Sequence, residues 1–244
     1  MILGVELWVV LALALAMIVG ATVQGLVGLG VGLVGAPATA MIAPELMPGL
    51  MLWLALLLPL ATLARNRDEI DWRGLAWALP ARIPGTVVGV LLVATFTDEQ
   101  LGIVIGVVVL SAVLLTYRAV RLPIIGGTLL GAGFISGITG TATSIGGPPL
   151  AVLYQHRSPV QIRSTLAVYF VVGAALSLIG LGIADALVWR DLALAGVLVP
   201  CLLIGLELSR RLQRRVPSRH IRNGVLLVCA VSAVSLLVRS LITI

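Results

Sequence analysis

Arg82 stands in the stretch ALPARIPG with no acidic residue within eight positions of it. A guanidinium stays charged, and without a carboxylate nearby its natural partner is an anion. A second set of groups lies in SGITGTATS, where Ser136, Thr139, Thr141, Thr143 and Ser144 are interleaved with Gly137 and Gly140. Hydroxyls donate hydrogen bonds that an oxyanion accepts. The third set is backbone. The same run continues into Gly146, Gly147, Pro148 and Pro149, and an earlier run, QGLVGLGVGLVGAP, carries Gln24, Gly25, Gly28 and Gly35 before Pro37. Proline fits the first turn of a helix, where its missing N–H would be unpaired anyway. A helix starting at GGPP therefore aims its free amides and positive dipole end at the break before it, and such an end is an anion site. GAP at residues 35–37 offers the same in the earlier run. Plainer readings stay open beside this one. Glycines let membrane helices pack closely, hydroxyls bond back to the carbonyl four residues earlier, and an arginine can snorkel to an interface.

The elements that must position these groups are membrane segments. The chain has 244 residues, of which 60% are hydrophobic and 11% charged, and its mean hydropathy is +1.16. Soluble domains carry about 25% charged residues. A membrane helix needs about 20 apolar residues. Apolar elements are predicted at 4–21, 26–44, 48–64, 74–95, 100–117, 123–140, 144–156, 164–183, 190–208 and 221–242. The fold class expected is an all-α polytopic membrane protein of about ten elements, 8–10 of them spans. The second, sixth and seventh elements are glycine-rich and read as broken or re-entrant helices. The first element lacks the basic start of a cleavable signal peptide, so it reads as a membrane segment. Pro80 and Pro84, which flank Arg82, are expected to interrupt the local hydrogen-bond ladder of the fourth element.

All 16 basic residues are arginine, and 13 fall in four gaps between apolar elements. These hold Arg65, Arg67 and Arg73; Arg118 and Arg121; Arg157 and Arg163; and Arg210, Arg211, Arg214, Arg215, Arg219 and Arg222. Each gap follows an odd-numbered element, so all share one face. The other face carries Glu45, Asp98, Glu99, Asp185 and Asp191, with only Arg190 and Arg239. The positive-inside rule puts the basic gaps in the cytoplasm and both termini outside. The net charge of +6 is thus topology rather than a nucleic-acid surface. Cys201 and Cys229 lie inside apolar elements, which speaks against a disulfide or a metal site. His156 and His220 sit at the cytoplasmic edge without a catalytic motif around them. No catalytic residue, metal or cofactor is expected, and the chain does not read as an enzyme. Tyr154, Gln155 and His156 close the seventh element as a gate or an interfacial anchor, and Glu207 is expected to meet Arg210 or Arg211.

The two glycine-rich runs are also repeats. At a shift of 112, Gly25 meets Gly137, Gly28 meets Gly140, Gly35 meets Gly147 and Pro37 meets Pro149. Further along, Pro84 and Gly89 meet Pro200 and Gly205, and Trp72-Arg73 meets Trp189-Arg190. The chain divides into residues 1–119 and 120–244, five elements each. An odd number inverts the second half relative to the first, and inverted repeats with interrupted helices mark secondary transporters that bind substrate near the midplane.

The paired segments GLVGLGVGLVGAP and GITGTATSIGGPP, the two halves and the IPGTVVG element resemble the TauE/SafE family of sulfite exporters. The first half differs from the more glycine-rich form of that family in Gln24 and Ala36-Pro37. The resemblance implies a multi-pass protein of the inner membrane that moves sulfite, sulfoacetate or related small anions by alternating access. A channel for the same anions and a carrier of small carboxylates are the alternatives. The partners expected are the anion and the lipid bilayer, with no nucleic acid. Proton coupling and assembly as a homodimer stay open.

Overall fold

The computed structural model describes residues 3–27, 31–64, 67–118, 122–213 and 218–243. Among them no strand occurs, and the elements are α1 (Leu7–Val27), a π-helical turn (Val31–Gly35) running straight into α2 (Ala36–Ile42), a 3-10 turn (Pro44–Leu46), α3 (Gly49–Leu63), α4 (Trp72–Thr95), α5 (Asp98–Arg118), α6 (Gly126–Thr143), α7 (Gly147–Tyr154), α8 (Pro159–Ile183), α9 (Trp189–Gln213) and α10 (Ser218–Thr243). Five of these helices are long and apolar enough to cross a membrane: α1, α4, α5, α8 and α9. The π turn with α2, α3 and the end of α10 are shorter apolar helices.

Helix ends follow their local chemistry. Asp71 caps α4 by accepting from Gly74 N at 2.9 Å, and Ser158 caps α8 by accepting from Gln161 N at 3.1 Å, with Pro159 in the first turn. These side-chain acceptors satisfy amides that a helix start leaves unpaired. Ser158 starts α8 several residues before the apolar run that predicts it at 164. Glu207 meets both Arg210 and Arg211, at 3.6 and 3.4 Å.

Pro80 and Pro84 leave the ladder of α4 short of two donors, but the helix continues across them from Trp72 to Thr95, with α6 packed along it. One expectation needs correction. The first half does not break at Gly35. α1 runs on to Val27, carrying Gln24 and Gly25 with it, and the following helix starts at Val31, a turn before GAP. Pro37 explains the wide π turn. Its ring would press on the carbonyl four residues back, and winding residues 31–35 more loosely relieves that clash.

Packing joins the halves. α1 lies on α9, α4 on α6, α3 on α8 and α5 on α10. Small residues make these approaches possible, as expected where lipid gives helices no hydrophobic reason to associate. A Cβ added at Gly133 or Gly137 of α6 would fall within 3.0 Å of backbone atoms of α4, and one at Gly85 would do the same to α6. Gly205 of α9 is pressed equally against α1, and Thr22 Oγ1 donates to its carbonyl at 3.1 Å.

The ends of the bundle carry different chemistry. At one end Asp191 lies against Gly49, and Arg239 donates to the Met41 carbonyl. At the other, Tyr154 donates to Asp71 at 2.7 Å, Asp71 N donates to Thr165 Oγ1 at 3.0 Å, and Ser158 donates to Glu69. Tyr154 is fully buried. It clasps α7 to the start of α4.

Candidate functional site

The break in the second half is built residue by residue. α6 stops at Thr143, and Ser144 adopts a left-handed conformation with φ of 61°. That conformation is uncommon for a residue with a Cβ. Its hydroxyl donates to the Pro48 carbonyl at 3.1 Å, which ties the break to the entrance of α3. Thr143 Oγ1 accepts from Ile145 N at 3.2 Å and donates to the Thr139 carbonyl at 2.7 Å, so it caps the end of α6. α7 then starts at Gly147 with proline in its first turn. Because Pro148 and Pro149 have no N–H, the donors of this helix end reduce to those of Gly147 and Leu150.

The opposing break meets it. Val31 N donates to Gln24 Oε1 at 3.1 Å, so the first amide of the π turn is held by the last turn of α1. An N–H requires an acceptor, which fixes the orientation of the Gln24 amide and leaves its NH2 group to donate elsewhere. Gln24, Val31, Gly32, Ser144, Gly146 and Gly147 all line one pocket, which α3 closes with Ala55, Leu58 and Pro59 and α8 with Phe170. Its empty volume is about 410 Å³, counting the mouth. Gly32 is close to the Ser144 carbonyl, and a Cβ there would stand 3.0 Å from it.

Arg82 sits behind this pocket. It is 3% exposed, near the middle of α4, and points between α6 and α8 rather than along the bundle to an interface. Nη1 donates to Ser136 Oγ at 3.1 Å, and Cζ stands 4.8 Å from the centre of the Tyr169 ring. Ser136 in turn donates to the Gly146 carbonyl, the residue that lines the pocket. The chain from Arg82 through Ser136 to Gly146 therefore polarises the Gly146–Gly147 peptide. A hydrogen bond to its carbonyl strengthens the N–H on its other side as a donor. Nε of Arg82 and Oγ1 of Thr86, one turn on, are buried without a hydrogen-bond partner. Among the described residues no carboxylate comes within ion-pair distance of Arg82.

The other predicted residues have different places. Thr139 bonds back to the Ile135 carbonyl at 3.1 Å, and Thr141 shares a 2.8 Å hydrogen bond with Ser177 of α8. Gly137 packs on the α4 backbone, and Gly140 on the guanidinium, where a Cβ would stand 2.7 Å from Nη2. Gly25 packs on Ser209 of α9, and Gly35 on the methyls of Met17 and Met51. Gly28 lies outside the described residues. Neither Gly25, Gly35, Gly137, Gly140 nor the three threonines line the pocket.

Sequence reasoning missed Tyr169, Gly173 and Ser177. They recur every four residues on α8, and all are buried. A Cβ at Gly173 would fall within 3.0 Å of Cζ, Nε and Nη1 of Arg82, so the missing side chain makes room for the guanidinium. The i, i+4, i+8 stripe of aromatic, small and hydroxyl residues was a readable signal. Ala55, Leu58, Pro59 and Phe170 gave none, being apolar residues in apolar helices.

The protein-family model described as Sulfite exporter TauE/SafE matches residues 12–236. No curated protein and no solved structure matches the chain.

Proposed function

We propose a function from one premise: the chain belongs to the sulfite exporter TauE/SafE family. It is accordingly a multi-pass membrane transporter of an anion-exporting family, with five helices long and apolar enough to span. Our reading is a secondary carrier of small sulfur-containing oxyanions, sulfite or sulfoacetate among them, working by alternating access in the cytoplasmic membrane. The anion binds between the two breaks. Its donors are the Gly147 N–H, the Gln24 amide and the electrostatic field of Arg82 delivered through Ser136.

The observation that carries this reading is that Gln24, Val31 and Gly32, beside the first break, and Ser144, Gly146 and Gly147, at the second, line one pocket backed by an arginine that has no carboxylate partner among the described residues. A cation in a membrane interior is costly and is retained where it serves function. The helix pairing supports an inverted repeat over residues 1–119 and 120–244. Exchanging the halves turns the α1–α9 contact into the α6–α4 contact, and maps α3–α8 and α5–α10 onto themselves. The repeat would place the pocket at the interface of the halves, where rocking of one against the other exposes it to alternate sides. We place the arginine-rich gaps in the cytoplasm and both termini outside.

The test is flux in proteoliposomes. Sulfite and sulfoacetate uptake should saturate and accelerate when the same anion is loaded on the far side. Flux that rises without saturation would make the protein a channel, and saturation only with small carboxylates would move the substrate class.

A further inference from the structure

Asp191 is a buried acid that the anion site does not use. It lies in the first turn of α9, at the end of the bundle away from the arginine-rich gaps, and is 3% exposed. Its Oδ1 has no hydrogen-bond partner. The nearest cation, Nε of Arg190, is 3.9 Å away, too far to donate, and is itself buried without a partner. Across from it, Gly49 opens α3, and a Cβ there would collide with Asp191 Oδ2. The contact between α9 and α3 is completed by Trp189 and Trp53, with ring centres 6.4 Å apart. The charged groups that face the carboxyl are Arg190 on its own helix and Glu45 on the turn before α3. An ionised carboxylate taken from water without donors is expensive, and the ordinary remedy is a proton.

Its neighbours connect it to the break. Gly49 follows Pro48, whose carbonyl accepts from the Ser144 hydroxyl at 3.1 Å. Ser144 lines the pocket. Whatever moves α3 away from Asp191 therefore also pulls at the bond that holds the second-half break.

We infer that Asp191 is a proton-binding site coupled to the anion pocket through Gly49, Pro48 and Ser144; this rests on the carrier reading above. In the packed arrangement the carboxyl holds its proton. When the α9–α3 contact parts, water reaches the carboxyl, the O–H bond breaks, the proton leaves to that side, and the carboxylate keeps the electron pair. Helix-start amides and Arg190 then stabilise the charge. The proton returns from the same side when the contact closes, so the site releases and rebinds one proton per cycle at this end.

The experiment uses sulfoacetate, whose own charge is constant above about pH 6. Reconstituted wild-type protein should change its flux by up to about tenfold per unit of a pH gradient imposed by changing the pH on the side that Asp191 faces, the response of a single proton-binding group. In Asp191→Asn the ratio of flux with and without the gradient should fall to about one. In detergent, the wild-type melting temperature should fall as the pH rises from about 4, the ordinary carboxyl value, until the packed form has also lost its proton, and Asp191→Asn should lack that part of the fall. Gly49→Ala keeps the acid but evicts it from the contact, and should flatten both responses; it serves where the asparagine variant folds poorly. A full gradient response and an unchanged melting profile in either variant overturn the assignment. Wild-type protein without any saturable flux sinks the carrier reading instead, and the melting profiles then still decide whether Asp191 takes the proton.

Discussion

Arg82 is the residue on which the chemistry turns. Its sequence context, a lone cation in an apolar segment, suggested a partner from outside the chain. The structure buries it near the middle of α4, lays it against Tyr169 and gives one of its nitrogens to Ser136. Two consequences separate binding from folding. Arg82→Met preserves most of the aliphatic stem while removing a buried charge that no carboxylate neutralises. Such a removal is often neutral or stabilising to the fold. Anion affinity measured by thermal shift should fall at least about tenfold, or about 1.4 kcal/mol, with the melting temperature of the unliganded protein unchanged or raised. Gly173→Ala acts on the same group from the other side. The added methyl meets the tip of a flexible side chain, so the guanidinium moves and the backbone does not. It should weaken anion binding with little loss of stability. Unaltered affinity in both variants would take Arg82 out of the site.

At the scale of elements, the same glycine chemistry has two outcomes. In the breaks, glycine and proline end one helix and start another, and Ser144 and Thr143 cap the join with their hydroxyls. Between α4 and α6, glycine instead lets two backbones touch. Gly137→Ala places its methyl within 3.0 Å of Arg82 O and Thr86 N, which are backbone atoms and cannot step aside. Overpacking of this kind costs about 1–3 kcal/mol. The variant should therefore melt well below Gly173→Ala, although both add a single methyl near the same arginine. Equal melting temperatures would mean that the α4–α6 contact is looser than it stands here. The clasp of Tyr154 on Asp71 belongs to this scale too. It anchors the far end of α7, so the short helix is held at both its ends, by Ser144 on Pro48 and by Tyr154 on α4.

At the scale of the molecule, the repeat we propose would give the halves equivalent surroundings, but their polar contents differ. At the shift of 116 that brings Pro84 onto Pro200, the position matching Arg82 on α4 is Leu198 on α9. The clasped end, around Asp71, is hydrogen-bonded, while the end around Asp191 leaves Oδ1, the Trp53 Nε1 and the Arg190 Nε buried without partners. Orientation across the membrane is testable directly. With the native cysteines replaced, a cysteine at position 157 should react with an impermeant maleimide only in inside-out vesicles, and one at position 98 only in intact cells. The opposite pattern would reverse the topology.

Composition and spacing determined that this is a helical membrane protein, because a run of about 20 apolar residues has no other stable fate in water or lipid. They also pointed to the second break, since two glycines disfavour continuing a helix and the two prolines after them suit the first turn of a new one. Helix bounds such as 74–95 for Trp72–Thr95 were legible for the same reason. The first break was misplaced by a turn because Gly35 and Pro37 look like a start, and only the neighbouring α1 and the loose π turn revealed an earlier one. Tertiary structure alone decided which polar groups face the pocket. A threonine in a membrane helix carries the same hydroxyl whether it bonds backwards, like Thr139, crosses to α8, like Thr141, or faces a cavity. Its choice depends on how α6 is rotated against α4 and α8, and that rotation is set by where glycine lets the backbones meet.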